Sequence, residues 1–465
     1  MMRAIVMVFV LMLLVSAAIA QDDSTDRTFG VVEAYYRPEE AAQLGASWER
    51  IIFAWDCFQP ESADDFDSSC VPQETLDNAA AADRQIVGLI KGTARWASES
   101  GSLGAVPDGV DLPYDDPDNL FGAFVTRLAQ YYGERGIHDW IILNEPDIRD
   151  GEGIVEFEGD VRDYANLLKV AYQAIKAVDD EAHIQIAGMT WWYDRTAQRV
   201  PYLRRLLGTL YADPQAEAND YYFDGITLHI YFTTWTVMPI ILANVEILGD
   251  FGLQDKSIWL AEFNASPRRD PEARLEAIFD VSLEQQADFI VQTSALALAA
   301  GVDRMAVYRL YDNDFIPGAH EAWGLVRGDG SLRPAFYAYQ QVIERFTGWQ
   351  RIQRHIIPEA ELITLSSPER TLYAMWSSGF TGGQFMINMG SDDNAVTVAD
   401  ATGEKTPALL ERDSGVILAI IEAPAAERID LPWVVVAGAV RIVELEGAPR
   451  TVWYRTESGA VTQMR

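Results

Sequence analysis

The sequence predicts an α/β chain: a (β/α)8 TIM barrel followed by a smaller all-β, sandwich-like domain. Three observations predict it. Eight short apolar runs alternate with longer stretches whose apolar residues recur every three or four positions. No glycine-rich phosphate loop follows the first run, which weighs against the alternative, an open doubly wound sheet. Beyond about residue 345 the helical periodicity stops and only short β-like runs remain.

The elements follow in order. Residues 1–20, "MMRAIVMVFVLMLLVSAAIA", carry Arg3, an apolar core and Ala18-Ile19-Ala20, the pattern of a cleaved signal peptide. An uncleaved anchor is the alternative, because the apolar stretch approaches membrane-spanning length. Residues 21–345 hold the barrel. Its strand-like runs are "TFGVVEAYY", "RIIFAW", "RQIVGLI", "DWIILNEP", "HIQIAGM", "DGITLHIYF", "SIWLAEFN" and "DRMAVYRLYD". Stretches such as "DYANLLKVAYQAIKAV" and "EQQADFIVQTSALALAAG" supply the intervening helices. Residues 346–465 form the β-domain, with strands expected at "RTLYAMWSS", "GQFMINMGS", "NAVTVADATG", "VILAIIEAP" and "AVRIVELEG".

At 465 residues the chain has room for both domains, and 49% hydrophobic content with 11% aromatics is that of a globular protein. A net charge of −34 argues against nucleic acid or an anionic membrane as partner, and disfavours a polyanionic substrate. Cys57 and Cys70 are the two cysteines. In an exported protein they could pin one polar loop as a disulfide; two unpaired small residues are the alternative.

Chemistry in such a barrel sits at the carboxyl ends of the strands. Glu145 ends the fourth strand and Glu262 the seventh. By the two-residue period, Ile258, Leu260 and Glu262 share a face, and that face is expected to fill the barrel interior. In the sixth strand the same period sets Thr227, His229 and Tyr231 opposite Ile226, Leu228 and Ile230. Two carboxyls converging on one cavity can divide glycosidic cleavage, one protonating the leaving oxygen while the other attacks the sugar carbon. The bland reading of either glutamate alone is a surface loop residue or half of a salt bridge.

"ILNEP" and "WLAEFN", with "LHIY" between them in order, resemble the acid/base and nucleophile motifs of clan A retaining glycoside hydrolases. "EAWGLVRGDGSLRPAFYAYQ" is similar to the stretch that closes family 39 and family 5 barrels, family 39 being the nearer resemblance. The resemblance implies Glu145 as acid/base, Glu262 as nucleophile, and Asn144 on the sugar 2-hydroxyl. It implies that Tyr231 contacts the nucleophile, that His229 supports the pocket, and that Arg50 holds Glu262 ionised. The rival readings are a strand-capping ion pair for Arg50 and a satisfied core histidine for His229.

Trp96, Trp191, Trp192, Trp235 and Trp323 lie near strand ends, and about two of the five are expected to stack on sugar faces, the rest being packing residues. Two departures from the pattern stand out. The third strand ends "IKGTARWAS", without the histidine usual in family 5, and the eighth carries Tyr308 and Tyr311 where relatives place a tryptophan. The expected activity is retaining hydrolysis of a neutral β-linked glycan or glycoside, with a carbohydrate substrate and no cofactor. No metal is expected, since the five histidines form no ligand-spaced pair, and no G-x-S-x-G elbow suggests a serine hydrolase. The rival class is a non-catalytic carbohydrate-binding protein on an inactivated barrel; such a protein has no chemical reason to keep both carboxyls.

Overall fold

The computed structural model describes residues 26–464 except 232, 274–279, 313–321, 393, 414 and 428–435. The leader-like residues 1–20 lie outside this set. Eight parallel strands close into a barrel in sequence order: β1 (Phe29–Val32), β2 (Trp48–Ala54), β3 (Gln85–Lys91), β4 (Asp139–Asn144), β5 (His183–Met189), β6 (Gly225–Ile230), β7 (Ser257–Phe263) and β8 (Arg304–Val307). Six fall within runs expected from the sequence, while β2 begins two residues before its run and β3 ends one residue after its run. The seam is β1 against β8, and the hydroxyl of Tyr339, on the helix Pro334–Arg345, donates to Gly30 O across it at 2.7 Å.

The pleat sorts side chains into two layers. Val32, Trp48, Val87, Leu89, Ile141, Trp259, Ala261 and Ala306 fill the interior. Ile258 and Leu260 belong instead to the outer cluster, with Ile226, Leu228 and the apolar faces of the helices. The expected face of the seventh strand is therefore corrected: its interior members are Trp259 and Ala261. A register shift supplies the reason. Leu228 pairs with Leu260 but His229 pairs with Glu262, so one residue of β7 is skipped and the parity reverses before Glu262. The bulge, not simple alternation, turns Glu262 inward.

The β-domain has more strands than the five expected. Among the described residues eleven run from β9 to β19: Arg351–Ile357, Ala360–Ser366, Arg370–Ser377, Gly383–Gly390, Thr397–Ala399, Lys405–Pro407, Leu409–Asp413, Val416–Ala423, Arg441–Glu446, Val452–Thr456 and Val461–Gln463. They form a six-stranded sheet (β14-β13-β17-β11-β10-β9) and a five-stranded sheet (β15-β16-β12-β18-β19). Leu362, Tyr373 and Met375 face Phe385, Ile387, Ala419 and Ile421 between the sheets. The alternate residues Ile363, Leu365, Leu372, Ala374 and Trp376 join the barrel's own cluster. The six-stranded sheet is thus apolar on both faces, and β10 is buried along its whole length. Polar ties reinforce the joint: Asp288 accepts from Val440 N and Gln292 donates to Gly438 O, each at 2.8 Å.

Cys57 and Cys70 are joined, their Cα atoms 6.0 Å apart. A bridge across a loop of this length stabilises by about 3 kcal/mol, chiefly by restricting the unfolded chain. Replacing both cysteines by Ser should lower the melting temperature by a few degrees. Thiol labelling of the unfolded, unreduced protein should find none free; two reactive thiols would contradict the bridge.

Candidate active site

Site residues converge at the carboxyl ends of β4, β6 and β7, with Arg50 reaching in from within β2. On β4 the chain leaves the ladder early. Ile142 pairs with Ile186 and Asn144 with Gly188, while Leu143 between them takes a left-handed φ of 72°. The Tyr164 hydroxyl fills the gap, accepting from Ala187 N at 2.8 Å and donating to Ile142 O at 2.9 Å. Glu145 is also left-handed, with φ of 43°, and its amide donates to Gly188 O. Two non-glycine residues in this region within three positions cost roughly 1–3 kcal/mol each, strain typical of a functional turn. That turn presents Glu145, its side chain 19% exposed, beside the buried Asn144.

Glu262 is almost fully buried and surrounded by donors. Arg50 Nη2 donates to Oε1, and the Tyr231 hydroxyl donates to Oε2 at 2.5 Å. His229 Nδ1 lies 2.7 Å from Glu145 Oε1 and 3.4 Å from Glu262 Oε2, while its Nε2 lies 3.5 Å from Arg50 Nη1. An imidazole protonated on Nδ1 satisfies both ends, donating to Glu145 and accepting from Arg50. The imidazole can approach because position 188 is glycine: a Cβ there would fall 1.9 Å from His229 Nε2.

Electrostatics separates the groups. Burial is the largest influence on the Glu262 carboxyl and opposes its ionisation. His229, Arg50 and the Tyr231 hydroxyl together outweigh it, holding the pKa below the usual carboxylate value. Burial, then the charge of Glu262, pushes the Tyr231 hydroxyl well above its ordinary range, so it stays a donor. For His229, burial works against the cation, but Glu262 and Glu145 prevail and raise its pKa.

Glu145, His229 and Glu262 offer ligand atoms that all lie within 4.8 Å of one another. Arg50 already balances the charge of Glu262, and both Glu262 oxygens accept hydrogen bonds. This donor set suits a paired carboxylate better than a metal ligand.

The other candidates divide. Trp323 is here: its ring centroid is 5.1 Å from that of Tyr231 and 5.9 Å from that of Tyr308. Asn264, at the tip of β7, fixes this aromatic corner by donating to Tyr308 O and Trp323 O, both at 2.7 Å. Trp191 borders the β4 turn, its amide donating to Asp147, which also accepts from Thr190 N and Oγ1. Burial pushes the Asp147 carboxyl up to about 6. Trp192 is half-buried against the barrel core. Trp96 is tied elsewhere, its indole donating to Gln59 O and its ring packed on Trp55, beside the disulfide loop. Trp235 is exposed and meets Phe380 of the β-domain. Tyr311 lies under the Arg37 guanidinium. Asn144 Oδ1 is buried with no hydrogen-bond partner among the described residues.

Sequence reasoning missed Tyr164, Asp147, Gly188 and Asn264. Gly188 had a legible signal, since glycine inside a strand marks close approach of another group. Asn264 follows Glu262 by two residues, but the carbonyls it donates to, those of Tyr308 and Trp323, come from after β8, which no local pattern shows.

The fold is that of the glycoside hydrolase barrels with an appended β-domain. Among solved structures, the chain is similar to a family 39 glycoside hydrolase from the gut symbiont Bacteroides cellulosilyticus WH2. That match has 14% identity, covers 90% of this chain and 81% of the other, and has a TM-score of 0.64. A family 30 subfamily 8 xylanase from Clostridium acetobutylicum matches at 11% identity, 91% and 97% coverage and a TM-score of 0.55. A family 51 α-L-arabinofuranosidase from Bifidobacterium longum matches at 10% identity, 88% and 89% coverage and a TM-score of 0.55. No family model and no curated protein matches the sequence.

Proposed function

We propose that the protein is a retaining glycoside hydrolase, acting on a neutral β-linked glycan or glycoside by double displacement. The observation that carries this is the pair of carboxylates at the tips of β4 and β7, with oxygens of Glu145 and Glu262 within 4.8 Å. Retaining enzymes hold their carboxyls about 5–5.5 Å apart, whereas inverting ones leave about 6.5–9.5 Å for a water. Glu262, held ionised, attacks the anomeric carbon. Glu145, on the more exposed side, protonates the leaving oxygen and then deprotonates the incoming water. The charge of the chain favours a neutral substrate. The leader-like residues 1–20 and the Cys57–Cys70 bridge support an exported enzyme.

The test is hydrolysis of a panel of nitrophenyl glycosides, with NMR of the first-formed anomer. Net retention is expected; an inverted product would overturn the mechanism, and failure to cleave any member or any glycan would favour a binding protein.

Arg50 gives a pH test of the same reading. In Arg50→Met one of the charges that keep Glu262 ionised is gone, so its pKa rises. The acid limb of kcat/KM should therefore move to higher pH. Tyr231→Phe, a milder change, should move it the same way by less. An unmoved limb in both folded variants would mean that another group sets it.

A further inference from the structure

We propose that Trp235 and Phe380 together form a distal sugar-binding platform, so that a bound glycan extends from the barrel onto the β-domain. This rests on the glycosidase reading for the near end of the glycan, but the platform itself is argued from position and exposure.

Trp235 sits four residues beyond Tyr231, the residue that bonds Glu262. Thr233 N donates to Tyr231 O at 2.9 Å, turning the chain at once into the helix Thr234–Asp250. At no more than about 3.6 Å per residue, the Trp235 Cα lies within roughly 14 Å of the Tyr231 Cα, at the same end of the barrel. Phe380 lies between β11 and β12. The two ring centroids are 6.0 Å apart with planes at 68°, yet Trp235 remains 39% exposed and Phe380 54% exposed.

The β-domain is held at this end of the barrel by several contacts. Arg354 Nη1, on β9, lies 3.0 Å from Met238 Sδ, one turn beyond Trp235. Glu427 accepts from Arg269 at 3.0 Å and from Gln285 at 2.7 Å, both on the segment that follows β7. The domain is therefore fixed beside the two connections that leave Tyr231 and Glu262, and from it Phe380 meets Trp235. An exposed aromatic pair at the end of the barrel that carries Tyr231 and Glu262 fits the C–H face of a pyranose, which needs no charge for recognition. The ligand class is a neutral β-linked oligosaccharide.

The experiment compares full-length protein with Trp235→Ala, Phe380→Ala and the double variant. Substrates are β-1,4-linked xylo- and cello-oligosaccharides from disaccharide to hexasaccharide, with tryptophan fluorescence titration by the same sugars. The ratio of kcat/KM for the longest to the shortest substrate should fall on the order of tenfold in each single variant, about 1.4 kcal/mol. The double variant should fall little further, because the two rings act on one sugar. Trp235→Phe should recover most of the ratio. If no glycan is cleaved but the hexasaccharide still changes the fluorescence in a Trp235-dependent way, the catalytic reading fails and the platform stands. If glycans are cleaved and the length dependence is unchanged, the platform is overturned. A lowered melting temperature with unchanged length dependence would make the pair a latch between domains, and would overturn it equally.

Discussion

Glu262→Ala is expected to abolish turnover of every substrate, with kcat falling on the order of 10⁴- to 10⁶-fold, the scale for loss of a covalent nucleophile. The loss should be nearly independent of the leaving group, because without Glu262 the first bond to the anomeric carbon cannot form. The truncation also leaves Arg50 buried without its partner, which costs about 3–5 kcal/mol of stability. Glu262→Gln keeps a carbonyl acceptor for Arg50 and turns its other end into an amide donor to the Tyr231 hydroxyl, and should be equally inactive while folding normally. Azide, small enough to enter the space left in the alanine variant, should restore cleavage of an activated aryl glycoside and yield the glycosyl azide of inverted configuration. With the wild type, a matching 2-fluoro glycoside should label the peptide containing Glu262. A label on another carboxylate, or azide rescue with retention, would remove Glu262 from this role.

Glu145→Gln should discriminate between substrates. General acid catalysis contributes about 10²–10⁴-fold. A glycoside whose leaving group needs protonation should lose that much in kcat/KM, whereas a dinitrophenyl glycoside should lose little in the first step. The second step also needs Glu145 as base, so the variant should accumulate glycosyl-enzyme on activated substrates and show a burst. A uniform small loss across leaving groups would exclude Glu145 as proton donor.

Much of this was legible in the sequence, for identifiable reasons. The eight barrel strands announce themselves because each is a short apolar run between helical periods. Glu145 and Glu262 stand out because charge at the end of such a run has no packing explanation. What was misread depends on register. Ile258 and Leu260 were assigned to the interior by alternation, and only the pairing of His229 with Glu262 reveals the bulge that reverses it. The strand β10 escapes the sequence pattern for a related reason. The six-stranded sheet is covered on both faces, so "AELITLS" lacks the apolar/polar alternation of a half-exposed strand. The contacts of Asn264 and Phe380 join segments far apart in sequence, and no periodicity encodes them.

The barrel seam has a consequence for how the chain is made. β1 is the first strand to leave the ribosome, and its partner β8 lies some 270 residues further on. At about 5–20 residues per second, one side of β1 waits on the order of tens of seconds with its amides and carbonyls unpaired. Exposed strand edges invite pairing with other nascent chains, and shortness is one defence. The two strands that flank the seam are four residues each, the shortest of the eight. Tyr339, which stitches the seam, is translated later still. Closure is therefore an event late in synthesis, and truncations that stop before residue 339 should be handed to chaperones rather than released as barrels.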